Sequence, residues 1–205
     1  ISDPIIYRVK LLKQRHAELI ERISKRSLED DAKKLTFLFP HVNEICESIR
    51  KKYEYTGDKY SIVAPQDIVD ILYEGNRLQH CIRGADRYMD RIERQESYIL
   101  FLRKTDDITT PYYTLEVEPD GTIRQKRTFY DRQNEDIKEA TPFLSKWQKV
   151  VAKNMTKKDR KLAEKSREQR IVDYNELKEK KVVIHTGHMQ GHLLFDVLIT
   201  DLMEN

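Results

Sequence analysis

Apolar positions recur every three or four residues through the first third of the chain and every two residues in its middle, which predicts helices followed by strands. In residues 4–24, PIIYRVKLLKQRHAELIERIS, the residues Ile5, Val9, Leu12, His16, Leu19 and Ile23 fall on one helical stripe. A second helix is expected over residues 28–37 and a third over residues 41–52, with Pro40 between them. Cys46 sits with Val42, Ile45 and Ile49 on the inward face of the third and reads as a core residue. The stretch SIVAPQDIVDILYEG predicts another helix, with Pro65 in its first turn, Asp67 at its positive end and Gly75 as a left-handed cap. A short helix over residues 77–82 follows, and Gly84 releases the chain into the charged helix ADRYMDRIERQ.

The period then changes to two. ESYILFLRK, PYYTLEVE and TIRQKRTF read as three strands, and Pro119-Asp120-Gly121 joins the last two as a type I turn ending in a left-handed glycine. A uniform register from this turn sets Val117 against Ile123, Glu116 against Arg124 and Leu115 against Gln125. One face then carries Thr114, Glu116, Arg124 and Lys126, and the other mixes Tyr113, Leu115 and Val117 with Gln125 and Arg127. Polar groups on a core face need partners, because an unpaired buried amide or guanidinium is costly. Residues 129–136 read as a polar loop, and ATPFLSKWQKVVAKNM as a helix capped by Thr141, with Phe143, Leu144, Trp147 and Val151 covering the sheet. Residues 156–181 lose the apolar stripe and become a long charged helix; the hydrophobic tail after them is expected to dock back as a short strand and helix.

The fold class is therefore α+β: N-terminal helices, a central antiparallel sheet of at least three strands and a long charged C-terminal helix. Three regions are expected, a helical one over residues 1–59, an α+β core over 60–150, and the charged helix with its docking tail over 151–205.

Composition changes this picture in two ways. At 39% hydrophobic and 36% charged, the 205 residues can build a core only if exposed helices carry the polar excess. A net charge of only +3 means that binding to nucleic acid would require clustered cations. Two cysteines without a CxxC point to a reducing cytoplasm, and no run approaches membrane-spanning length. No motif names a cofactor.

Within this frame EGNRLQHCIRG, YILFLRK, PYYTLEVE and IRQKR, with Asn134 downstream, resemble the PcfJ-like proteins of bacterial conjugative plasmids and related mobile elements over residues 60–150. The family pattern is a Glu-Gly, a Leu-x-His-Cys-Val, a strand ending in Arg, a Thr-Leu-Glu strand and a Gln-x-Arg before Asn. Two departures stand out: Arg83 precedes Gly84 where the family often has glycine sooner, and Thr128 follows Arg127 where a glycine is common. The resemblance implies a plasmid or mobile-element setting and carries no established reaction.

Two classes of function follow. The first is a nucleic-acid-associated module, using Arg124, Lys126, Lys157, Lys158, Arg160 and Lys161 for phosphate, with Tyr112, Tyr113 and Tyr130 for base stacking. The charged C-terminal helix could equally meet a protein partner. The second is an enzyme whose pocket gathers His80, Cys81, Gln125, Arg127 and Asn134, with Glu116 the weaker member. Arg77 and Arg83 would favour a Cys81 thiolate, although neighbouring His80 is poorly directed to act as its base. His80, Tyr98 and Glu116 also follow the order of residues in ADP-ribosyl transferases, without the flanking motifs. His185, His188 and His192 have ligand-like spacing, but Gly187 and Gly191 weaken the helix that would align them, and no metal is assigned.

Overall fold

The computed structural model describes residue 15, residues 26–83 and residues 86–203. The helix expected over residues 4–24 and the release at Gly84 lie outside the described residues. Helix α1 (26–38) leads into α2 (Val42–Tyr53), whose buried face is the expected Val42, Ile45, Cys46 and Ile49 with Tyr53 added. Five strands follow as an antiparallel meander in sequence order: β1 (Tyr55–Thr56), β2 (Tyr60–Val63), β3 (Tyr98–Lys104), β4 (Tyr113–Val117) and β5 (Ile123–Arg127). Helices α3 (Ile68–Leu78) and α4 (Asp86–Glu93) stand between β2 and β3, and α5 (Ile137–Lys153), α6 (Lys157–Lys180) and α7 (Leu194–Met203) complete the chain. Among the described residues no helix is long and apolar enough to cross a membrane.

The three expected strands are present, and β1 and β2 add two more. Ser61, Ile62 and Val63 belong to β2 and not to the following helix, because Pro65 interrupts the chain and Asp67 opens α3 by accepting from the Asp70 N–H at 3.0 Å. Gly75 does not cap α3. The helix runs on to Leu78 and ends at Gln79, a left-handed residue with φ of 52°; Gly75 contributes the carbonyl that accepts the Gln79 and His80 N–H groups. Arg77 and Leu78 thus belong to α3, and a separate 3-10 turn covers Cys81–Arg83. Helix α5 likewise starts earlier than Thr141, at Ile137, since Ile137 and Ala140 are themselves buried.

Pairing and contacts define two faces of the sheet. Tyr98, Leu100 and Leu102 share a face with Tyr113, Leu115 and Val117. Helix α5 covers it: Phe143 meets the Tyr60 ring, and the buried Trp147 donates from Nε1 to the Tyr53 carbonyl at 2.8 Å. The hairpin tip is tied to α2, where Tyr53 Oη and Lys52 Nζ both donate to the Pro119 carbonyl. Gly121 takes the expected positive φ, 91°, and its N–H donates to the Glu118 carbonyl.

The hairpin keeps its expected register only as far as Val117 opposite Ile123. A bulge then shifts it by one residue, so that Glu116 faces Gln125, Leu115 faces Lys126 and Thr114 faces Arg127. Arg124 is the extra residue. The shift moves Gln125 and Arg127 off the apolar face and gathers Thr114, Glu116, Arg124, Gln125 and Arg127 on the other, where partners exist for them. Lys126 makes the reverse move: it is buried on the apolar side.

On the polar face Arg124 donates from Nε to Glu118 at 2.8 Å, from Nη1 to Glu96 at 2.8 Å, and from Nη2 to the Ser166 carbonyl and hydroxyl at 3.2 and 3.1 Å. Arg91 of α4 donates to Glu116 at 2.7 Å, and Arg170 of α6 to Glu118 at 2.6 Å. Ala163, Ser166, Arg170 and Asp173 recur at helical spacing, so most of the inward stripe of α6 is small and polar, with the buried Tyr174 ring at its C-terminal end. A capping box between Thr156 and Asp159 starts this helix.

Removing one member of such a buried set leaves the remaining charges uncompensated. Arg124→Met is expected to destabilise the protein by about 3–5 kcal/mol in urea denaturation. Lys33→Met, which breaks the exposed pair with Asp30, should leave the midpoint unchanged.

Candidate functional site

The polar face becomes a site at its β5 end. The left-handed turn at Gln79 directs His80 inward, where it is 3% exposed and its Nε2 lies 2.8 Å from Thr114 Oγ1. The Thr114 hydroxyl is in turn 3.2 Å from Glu74 Oε1, and Arg103 clamps Glu74 with two bonds of 2.9 and 2.6 Å. Burial pushes the Glu74 carboxyl up, and Arg103 opposes the shift. Burial also pushes the His80 imidazole below its ordinary value, which keeps the ring neutral.

Glu116 accepts from Arg91, from Ser97 Oγ at 2.8 Å and from Gln125 Nε2 at 2.7 Å. Burial alone would raise this carboxyl; Arg91, Arg124 and the two neutral donors outweigh it and hold Glu116 at about 2. Glu116 is therefore a fixed anion and a structural hub. It faces Arg124 as expected, at 3.6 Å, but its main partner is Arg91.

His80, Cys81, Thr114, Glu116, Gln125 and Arg127 all line one cavity of about 20 Å³. His80 and Glu116 thus share a wall, contrary to the uniform register, while Gln125 points inward to Glu116 instead of toward solvent. Cys81, Tyr88, Gln125 and Arg127 also line an adjoining cleft of about 260 Å³, bounded beyond them by Arg87, Tyr130, Asp131 and the C-terminal segment. That segment docks through α7, from which Asp201 pairs with Arg127, while an isolated Val183–Leu193 bridge closes the segment on itself. Two consecutive left-handed residues, Tyr130 and Asp131, shape the cleft wall, and Asp131 Oδ1 accepts the Cys81 N–H at 2.9 Å.

The remaining expected members separate. Asn134 is exposed, does not line the cavity, and donates its backbone N–H to Tyr113 Oη on the apolar side, because the turn through Tyr130 and Asp131 carries the chain past the sheet. Tyr98 lies on the face opposite Glu116 and His80, so the transferase-like trio is not assembled. Arg124 and Lys126 are 2% and 3% exposed and present no cation to a surface ligand, and Tyr113 is fully buried. Lys157, Lys158, Arg160 and Lys161 are exposed, as is Tyr130. His185, His188 and His192 lie in a non-helical segment turned by Gly187 and Gly191.

Cys81 is bonded to a phenol through its sulfur and to a carboxylate through its backbone N–H. Its sulfur lies 3.0 Å from Tyr88 Oη, and crowding by protein atoms followed by the Asp131 carboxylate pushes the thiol up to about 12 although the residue opens onto the cleft. Sequence reasoning missed Tyr88, Asp131, Ser97 and Asp201. Tyr88 follows Cys81 by seven residues on the next helix, a signal available in principle; the others are brought in by tertiary folding alone.

Two outcomes follow from these geometries. At pH 8 Cys81 and the buried Cys46, also pushed up to about 12, should both react slowly with iodoacetamide, and Asp131→Asn should accelerate Cys81 several-fold without changing Cys46; peptide mass spectrometry reads both. Glu116 has a folded pKa below its ordinary 4.5, so its contribution is complete above that value and is lost as pH falls toward about 2. The stability gap between wild type and Glu116→Gln should therefore be wide at pH 6 and narrow steadily below pH 4.5.

The motifs that suggested a family, separate in sequence, meet here: Glu74 with Arg103, Thr114 with His80, Glu116 with Gln125. A protein of Listeria innocua described as uncharacterized is 32% identical over 117 residues, 54% of this chain and 25% of that protein, so the aligned part is about a quarter of the relative's length. No solved structure matches. The PcfJ-like protein family matches residues 7–141, well over half of the chain and across every motif named above, and the chain belongs to that family.

Proposed function

We propose that this chain is a nucleic-acid-associated accessory module of a bacterial plasmid or other mobile element, holding backbone phosphate through the end of α5 and the start of α6. One observation carries the reading. Between Ala140 and Lys161 there are seven cations, Lys146, Lys149, Lys153, Lys157, Lys158, Arg160 and Lys161, and a single acid, Asp159. All seven are exposed. Asp159 is occupied by Lys52 at 3.0 Å and by the capping box, so it does not offset them at the surface. The whole chain carries only +3, so positive charge is concentrated here and not spread evenly.

The lysines of α5 recur at positions i, i+3 and i+7, on the side away from buried Leu144, Trp147 and Val151. Such a strip follows phosphates without reading sequence, and it releases counterions on binding. The plasmid setting rests on the family resemblance.

Fluorescence anisotropy with mixed-sequence single- and double-stranded oligonucleotides tests the reading across a salt series. Affinity should fall steeply with salt. Charge reversal at Lys157, Lys158, Arg160 and Lys161 should reduce the log–log slope, by about 0.7 on a single strand and about 0.9 on a duplex for each phosphate that is no longer neutralised. Reversal at Lys146, Lys149 and Lys153 should act in the same direction. Absent or salt-independent binding would reject the proposal.

A further inference from the structure

His80 has a fixed partner on only one side of its ring. The Thr114 hydroxyl has a single hydrogen, and Glu74, clamped by Arg103, is an acceptor, so the hydroxyl donates to Glu74 Oε1 and accepts from His80 Nε2. Nε2 therefore carries the ring proton. Nδ1 is left as a bare lone pair, buried and with no hydrogen-bond partner among the described residues. A buried acceptor without a donor is an unmet demand that the surrounding structure has to support.

His80 also lines a space of the size to meet that demand. The cavity that His80 lines, about 20 Å³, is enough for one water molecule. It shares Cys81, Tyr88, Gln125 and Arg127 with the larger cleft, so a molecule in the cleft can extend a group inward. Of the five non-glycine residues with positive φ among the described residues, Gln79, Tyr130 and Asp131 frame this region. Such conformations persist where the surroundings impose them, and they gather at ligand sites. The charges at the inner end are already matched: Arg127 by Asp201, and Glu116 by Arg91, Ser97 and Gln125. The inner end of a ligand is therefore neutral.

We propose that His80 Nδ1 is the acceptor at the closed end of a small-molecule site whose mouth is the cleft, and that the site takes a neutral O–H or N–H donor, such as an amide, amino or hydroxyl group, in place of one water. The chain from Arg103 through Glu74 and Thr114 fixes the tautomer that leaves this acceptor free. Glu74 and Thr114 are positioning residues.

Long-range proton–nitrogen NMR on histidine-labelled protein tests this. His80 should appear as the neutral Nε2–H tautomer near pH 7. Formamide, which has N–H donors, should shift the His80 Nδ1 resonance saturably, while N,N-dimethylformamide, which has none, should not; exposed His185 reports on bulk effects of either solvent. Thr114→Val should mix the tautomers and weaken the formamide response. A proton on Nδ1, equal responses to both amides, or no response to formamide would overturn the proposal, and the wild-type measurement decides it even if Thr114→Val fails to fold.

Discussion

Arg124 is a guanidinium placed where a sheet would ordinarily carry an aliphatic side chain, and much of the fold is arranged around keeping it satisfied. Its partners come from the end of β4, from the connection before β3 and from α6. An ion taken out of water is tolerated only when its hydrogen-bonding capacity is met from several directions. Here that demand is met by drawing α6 onto the sheet through Ser166, whose hydroxyl also donates to the Glu96 carbonyl at 2.6 Å. The middle of the long helix is thus held by polar bonds at small residues, and its far end by the buried Tyr174 ring against Phe195.

The two faces of one sheet therefore stand by different physics. On the α5 side, Trp147, Leu144 and Val151 cover Tyr, Leu and Val side chains, and the hydrophobic effect needs no particular orientation to act. On the opposite side, carboxylates and guanidiniums must meet at bonding distance, so the positions of α3, α4, α6 and α7 are tightly specified. A network of that kind is an apt scaffold for a site, because the side chains at its edge inherit its rigidity. His80 and the cleft lie at that edge, and the basic strip lies apart from it on the outer faces of α5 and α6.

The apolar periodicities of α2 and α5, the strands β3 to β5 and the glycine turn at the hairpin tip were legible in the sequence, since each depends on local spacing and on which residues tolerate a given φ. The order of the family motifs was legible too, and it pointed to one polar center. Their roles were not. The hairpin bulge relocates Gln125 and Arg127, and a bulge is chosen by the cost of burying polar groups on one face against the partners available on the other, a comparison no local pattern contains.

Composition and spacing by themselves determined that this chain builds an α+β domain with an antiparallel sheet, a helical N-terminal side and a charged helix after it. Tertiary structure decided that Arg124 and Lys126 are buried while the α5 lysines are exposed, that Asn134 leaves the cavity while Tyr88 joins it, that Asp131 lines the adjoining cleft and that Asp201 pairs with Arg127. The physical reason is the same in each case. A charged side chain prefers water, and the exceptions are not revealed by its neighbours in sequence; burial is settled by whether distant segments meet its charge and its hydrogen bonds, and here residues as far along the chain as Ser166 and Asp201 help to meet them.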